Sequence, residues 1–385
     1  MNKHRIVALA ILSGGLLPAT PALTAPASAI DRDAEQKTLV DRLVLDRATT
    51  LTTAEKRAFD RERTLLAQLD ERDKQLRRSL AQRKQSEAEA ASTRSELLHV
   101  TAERERLVAD IATAERGRAD FPFLRNFDAY EGHSWAVGIG GAGEYGALGN
   151  NQESSSEAVN AWAALVLWGE VTGRSELRDL GIFLFTSEVE AINHYWFDLH
   201  RIVFAPEYRN VEASMVFGGK YAHNTWWTDE PRQTKGINLL PVTTASTALA
   251  RHPDYIRRNL AALADEQAVW AARGKKVDPP DIWQDIFAKY LALADPAAAL
   301  AQWNPRGSVE DGETPSHTLH WMLSLQDMGV PDFSVAADTT LYQVFHRSDG
   351  RRTYLAYNAG KAPITVRFSD GKVLEVAPGS LARGS

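Results

Sequence analysis

Cysteine is absent from the 385 residues, which excludes disulfides, a thiolate metal site and a cysteine nucleophile. Proline is missing from residues 31–118, and that stretch holds one glycine, Gly117, and one aromatic, Phe59. A segment so poor in turn formers and large rings can build neither tight loops nor an aromatic core. Its 19 basic and 18 acidic residues suit a solvated helix instead. All ten tryptophans lie at or beyond Trp135, so any globular core belongs to the second part of the chain. That part is short of positive charge: of the net −6, residues 119–385 carry −9. An acidic surface does not gather phosphates, so nucleic acid is not an expected partner.

Lys3, His4 and Arg5 precede an apolar run from Ile6 to Leu17, and Ala27-Ser28-Ala29 follows as a small-x-small cleavage pattern. This has the form of a secretory signal peptide over residues 1–29, and the run is shorter than the about 20 residues of a membrane span. The expectation is a secreted, extracellular protein with no membrane segment after cleavage.

From Asp31 to Arg116 the sequence reads as long helix. Heptads place Leu69, Leu76, Ala90, Leu97 and Ile111 at a, with Arg83 and Arg104 there too. Leu65, Val100 and Leu107 fall at d, among Arg72, Ser79, Ser86 and Thr93. The seam is apolar at both ends and polar between, which predicts an imperfect coiled coil with self-association through residues 60–115, or else a solitary charged helix.

At Phe121-Pro122-Phe123 the composition changes. Residues 132–156 are dense in Gly, Asn and Ser, a long loop of the kind that carries function. Ala158–Trp168 reads as a helix apolar on nearly every face, hence buried all round, ended by Gly173 and followed by a second helix from Ser175 to about Leu199. Prolines open predicted helices at Pro253–Ala272, Pro280–Leu293, Pro296–Trp303 and Pro315–Met328. After residue 340 the period changes to two, with Asp349-Gly350 and Asp370-Gly371 between alternating runs, which predicts β-hairpins.

The densest chemical signal is Gly149-Asn150-Asn151-Gln152-Glu153-Ser154-Ser155-Ser156-Glu157-Ala158. Glu153 and Glu157 are four apart, and two carboxylates on one helical face would raise each other's basicity, as a general base requires. The same string also reads as a capping box, with Ser154 capping the helix and Glu157 reaching back. Upstream, Arg125-Asn126-Phe127-Asp128-Ala129-Tyr130-Glu131-Gly132-His133-Ser134-Trp135-Ala136 mixes charge, imidazole and aromatic faces suited to a polysaccharide cleft. His317-x-x-His320 lacks a third metal ligand, and Gly138-x-Gly140-Gly141-x-Gly143 lacks the strand and lysine of a nucleotide loop. Neither a metal nor an organic cofactor is expected.

Taken together, these two strings resemble glycoside hydrolase family 81, the inverting endo-1,3-β-glucanases. Thr186-Ser187-Glu188-Val189-Glu190-Ala191-Ile192-Asn193, Gly218-Gly219-Lys220 with Trp226, Gly236-Ile237-Asn238-Leu239-Leu240-Pro241, and Glu313 through His320-Trp321 are also similar. The resemblance runs from about residue 105 to the C-terminus. It implies an (α/α)6 barrel, β-1,3-glucan as substrate, Glu153 as general base and Glu157 as its supporting glutamate. Asp128, His133, Trp135, Asn151 and Glu190 fall in motifs near the cleft, as candidates for substrate contact or loop bracing.

The family's general acid opens an Asp-His-His-x-His-Tyr-Gly-Tyr motif, and no such string occurs here; Asp70-Glu71-Arg72-Asp73-Lys74-Gln75-Leu76-Arg77 stands in its place. Too few helices follow residue 105 to close the barrel. The expected fold is therefore mainly α, in four parts. A signal peptide (1–29) and a charged coiled-coil-like helix (30–104) precede a partial (α/α)6 domain (105–338) and a small antiparallel β-unit (339–385). The order reads as a rearrangement joining a leader and coiled coil to half of a catalytic module. The expected function is hydrolysis of internal β-1,3-glucosidic bonds by inversion; the alternative is a non-catalytic glucan-binding or coiled-coil interaction protein.

Overall fold

The computed structural model describes residues 36–42, 53–136, 150–218 and 220–385. The signal-peptide pattern and the glycine loop 138–143 lie outside the described residues. The chain divides into two compact units, Met1–His99 and Val100–Ser385.

Helix α1, Thr53–Ile111, is 59 residues long. Without Pro or Gly nothing interrupts it, and i,i+4 pairs such as Lys74–Asp70 (2.7 Å), Arg77–Asp73 (2.8 Å) and Arg83–Glu87 (2.9 Å) line its surface. Exposed pairs of this kind, screened by water and salt, contribute little to stability. In the first unit, the predicted seam residues Leu65, Leu69, Leu76 and Leu97 are all exposed.

In the second unit, α2 (Ser155–Thr172) and α3 (Ser175–Ala191) form a hairpin turned at Gly173. Their close approach depends on Gly169, where a Cβ would lie 2.4 Å from the Arg178 backbone nitrogen. Val159, Trp162, Leu165 and Gly169 of α2 are buried. The expectation that α2 is buried all round is corrected: Leu167 (50%), Trp168 (44%) and Val171 (67%) are exposed. The α3 partner covers one side and the Ile237–Pro241 segment another, which leaves a third side open. A π-helical turn, Ile192–Trp196, ends α3 and buries Trp196 completely.

Four further helices begin on proline, which has no amide to leave unpaired: α4 (Pro231–Gly236), α5 (Pro253–Ala272), α7 (Pro296–Gln302) and α8 (Pro315–Met328). Helix α6 starts at Gln284 and runs to Ala292, later than the predicted Pro280, because Trp283 adopts a left-handed backbone (φ 58°) that α-helix cannot continue through. The largest core joins α5, α6 and α8 around Leu239, Ile256, Trp283, Ile286, Tyr290, Met322 and Leu325.

The C-terminal part is antiparallel β. Strands β6 (Val330–Pro331), β7 (Tyr342–His346), β8 (Arg352–Asn358) and β11 (Ser380–Gly384) form a sheet in the order β11-β8-β7-β6, and β9 (Ile364–Arg367) pairs with β10 (Val373–Val376). The two Asp-Gly turns fall at Gly350 and Gly371, between β7 and β8 and between β9 and β10. Val335, Val344, Ala356, Val366, Phe368 and Val376 make its core, so the unit takes in residues before 339.

Candidate functional site

Three short strands carry the candidate base. Strand β3, Asn151–Gln152, pairs with β4 (Met215–Phe217), which pairs with β5 (Lys220–Ala222); the Ala136 amide donates to the Asn151 carbonyl from the other side. Glu153 follows β3 directly, and Ser154 is the N-cap of α2. Glu153 is therefore not helical, which corrects the expectation that it shares a helical face with Glu157. The capping box is absent too: Ser154 makes no cap bond, and its Oγ donates to the Ile237 carbonyl at 3.2 Å. Ser156 donates to the Ile237 and Leu240 carbonyls, and Ser155 donates to Asn238 Oδ1 (3.0 Å). The serine run thus pins the start of α2 to the 237–240 segment instead of serving its own helix.

Glu153 is half-buried and its Oε1 is buried without a hydrogen-bond partner among the described residues. Burial pushes its carboxyl above the ordinary glutamate range and the nearby Glu157 charge adds to this, while the Trp226 amide and the Trp227 indole N–H favour its ionised form. Glu157 itself is exposed on the first turn of α2. Trp226 packs edge-on against Phe217 of β4 (6.1 Å, 89°) and Trp227 against Trp283 (6.1 Å, 63°). The Trp283 ring fits only because residue 236 is glycine, whose Cβ would lie 2.5 Å from it. Both tryptophans remain open to solvent, at 43% and 56%. A basic carboxylate with an unpaired oxygen, beside two exposed indole faces, can take a proton from water next to a ring-shaped ligand.

The other candidates are placed as follows. Strands β1 (Phe127–Asp128) and β2 (His133–Ser134) form a tight hairpin. Asp128 accepts from the Trp135 indole (3.2 Å) and the Tyr130 amide (2.9 Å); burial raises its carboxyl, but these bonds outweigh it and hold the group below the ordinary range. His133 and Trp135 are buried, ring against ring at 4.4 Å, and the imidazole also meets Tyr195 and Trp196. Burial holds His133 below the usual imidazole range, and its Nδ1 lies 2.8 Å from the Ser134 carbonyl. These three side chains brace the hairpin; His133 and Trp135 are closed off, and Asp128 is partly exposed. Asn151 is buried in β3, and Glu190 is exposed on α3, where its charge acts on His252. Asn151, Glu153 and Glu157 share the stretch from β3 into the first turn of α2, and Glu190 lies near the end of α3, which packs against α2. His317 pairs with Glu313 (2.6 Å), which also pairs with the buried Lys289 (3.0 Å).

Residues not singled out from sequence also matter. Glu188 is fully buried and accepts from the Ser134 amide (2.8 Å), the Ser134 hydroxyl (3.2 Å) and the Trp162 indole (3.0 Å), joining β2, α2 and α3. Burial raises its carboxyl to about 7. Its position between Leu184 and Ile192, at i−4 and i+4 on the buried stripe, is the signal that could have found it. Trp227 could have been read from its place beside Trp226.

The model of the glycosyl hydrolase family 81 C-terminal domain matches residues 94–323. A glucan endo-1,3-beta-D-glucosidase of Acetivibrio thermocellus is 51% identical over 278 residues, covering 72% of this chain and 34% of that protein. One of Thermobifida fusca is 40% identical over 282 residues, covering 72% and 35%. A solved glycoside hydrolase family 81 structure from Clostridium thermocellum matches with a TM-score of 0.66 at 50% identity, over 73% of this chain and 37% of that one. The chain spans about a third of the length of the curated relatives it matches. Mainly helical, and matched by the family model from the end of α1 into α8, the chain belongs to glycoside hydrolase family 81.

Proposed function

We propose that this chain acts on β-1,3-glucans of the laminarin type, with Glu153 as the general base of an inverting hydrolysis and Glu157 as the group that keeps it basic. The observation that carries this reading is the half-buried Glu153 carboxylate beside Trp226 and Trp227. The names of the matched relatives support the substrate class. In the proposed step, Glu153 takes a proton from water as the water oxygen bonds to the anomeric carbon. The glycosidic C–O bond opposite breaks, and the leaving oxygen takes up a proton from solvent water. An inverting pair of carboxyls stands about 6.5 to 9.5 Å apart. No aspartate here occupies the family's acid motif. The helices from α2 onward are read as part of an (α/α)6 barrel.

The test uses a dinitrophenyl β-laminaribioside, whose phenolate leaves without protonation, alongside laminarin. Hydrolysis of the activated substrate with the α-anomer formed first, seen by proton NMR before mutarotation, is expected. Laminarin turnover is expected to be slower by the 10² to 10⁴-fold that one general acid contributes. A β-anomer product would overturn the inverting reading. Binding of laminarin without release from either substrate would select the non-catalytic alternative.

A second prediction concerns Glu157. Because its charge raises Glu153, Glu157→Gln moves the acid limb of the kcat/KM profile to lower pH. An unmoved limb would separate the two carboxylates.

We also propose secretion, on the leader pattern of residues 1–29, and self-association through residues 60–115. The exposed Leu65, Leu69, Leu76 and Leu97 on α1 favour a second copy as partner. Sedimentation of the purified chain is expected to give a dimer that reverts to monomer in Leu69→Lys/Leu76→Lys; a monomer throughout would remove the proposal.

A further inference from the structure

The loop that serves Glu153 is tied down from behind. It runs from the end of β5 to α4, and Trp226 and Trp227 sit in its middle. At its first residue, His223 Nε2 lies 3.3 Å from Glu266 Oε2 on α5. At its far end, Asp229 accepts from the indole of Trp270 at 3.2 Å and pairs with Lys275. Glu266 and Trp270 are one turn apart on α5, so one face of that helix holds both ends of the loop. Glu230 then closes it by accepting from the Arg232 (2.8 Å) and Gln233 (3.1 Å) amides at the start of α4.

Glu266 is itself fixed. Its other oxygen pairs with Lys235 of α4 at 3.1 Å, and Lys235 is fully buried. Beside it lies Glu212, also fully buried, which accepts from Asn259 at 2.5 Å. Among the described residues, the charged and titratable groups facing the pair are Lys235, Glu212 and Tyr208, and Glu157 faces Glu153. Burying this many charges costs several kcal/mol per ion unless they are paired, so the cluster does not persist merely as filler.

We propose that His223 and Glu266 are positioning residues: through their contact, α5 holds the loop so that the Trp226 amide and the Trp227 indole meet the Glu153 carboxylate. This rests on Glu153 as general base.

His223→Phe breaks the contact while leaving the Glu266–Lys235 pair, and so the core, closed. On the activated laminaribioside kcat falls by about 10 to 10²-fold, the scale of a misplaced catalytic group, with KM little changed. The acid limb moves to higher pH, because the two N–H donors that favour ionised Glu153 loosen. Trp227→Phe, which removes one donor, moves the limb the same way. His223→Gln, whose amide can donate to Glu266 and which does not titrate, restores both rate and limb.

An unchanged rate and limb in folded His223→Phe overturns the proposal, as does His223→Gln behaving like His223→Phe. Glu153→Gln is assayed alongside. If it is inactive while His223→Phe is wild type, only the positioning role falls; if it is fully active, the base assignment falls and this proposal with it.

Discussion

Glu153→Gln is expected to lower turnover of the activated laminaribioside by 10² to 10⁴-fold, the range for loss of one general base, while laminari-oligosaccharide affinity stays within about threefold. Gln keeps the size of the side chain and still accepts from the Trp226 amide and the Trp227 indole, but it takes no proton from water. The activated leaving group isolates this step, because protonation of the departing oxygen no longer limits the rate. Glu153→Ala supplies a second readout. It opens space beside the two indoles, and azide, which attacks without a base, is expected to restore turnover and yield the α-glycosyl azide. A Glu153→Gln enzyme as fast as wild type would remove Glu153 from the mechanism, whatever the azide result.

The second large effect is on stability. Glu188 ionises near pH 7 in the fold against 4.5 for an unperturbed carboxyl, so the folded chain binds this proton more tightly than the unfolded chain. The contribution of this carboxyl to stability is therefore full below about pH 4.5, falls as pH rises toward 7, and is flat above, with a total loss of about 3 kcal/mol. When protonated, the carboxyl presents one carbonyl oxygen to the Ser134 amide and the Trp162 indole, and its O–H donates to the Ser134 hydroxyl. Gln reproduces that pattern at every pH. Glu188→Gln is thus expected to match wild type near pH 4, exceed it near pH 8, and remove this carboxyl's share of the slope between. Glu188→Ala leaves two buried N–H donors unpaired and costs about 2 to 5 kcal/mol near pH 4, a cost that shrinks by about 3 kcal/mol as the wild-type carboxyl ionises. Chemical denaturation across pH 4 to 8 measures both, and a wild-type slope retained in Glu188→Gln would assign the titration elsewhere.

What was legible in the sequence was what local physics decides. Pro253–Ala272 and Pro315–Met328 match their helices end to end, because a proline start and a periodic apolar face need no partner to be recognised. The Asp-Gly turns marked both hairpins for the same reason. Where packing decides, the pattern misleads. Trp283 breaks the predicted Pro280 helix by taking a left-handed backbone, and its ring lies against a glycine 47 positions earlier, Gly236. Glu153 and Glu157 are spaced as helical neighbours, yet β3 pairing holds Glu153 out of α2. The His223–Glu266–Lys235 ties join residues more than 30 apart, with no periodic signal at all. His133 and Trp135 belong to a shared string, but a string does not say which of its side chains face inward.

The two open indoles beside Glu153 also make the site its own optical reporter. Trp135, Trp162, Trp196 and Trp283 are shielded from water, whereas Trp226 and Trp227 are wetted, as is Trp168 on α2. With Trp168 replaced by Phe, the red edge of the intrinsic emission draws chiefly on the two rings a glucan would cover, and a quencher dissolved in the buffer reaches them first. Occupancy can be read without a label, in a variant that turns nothing over.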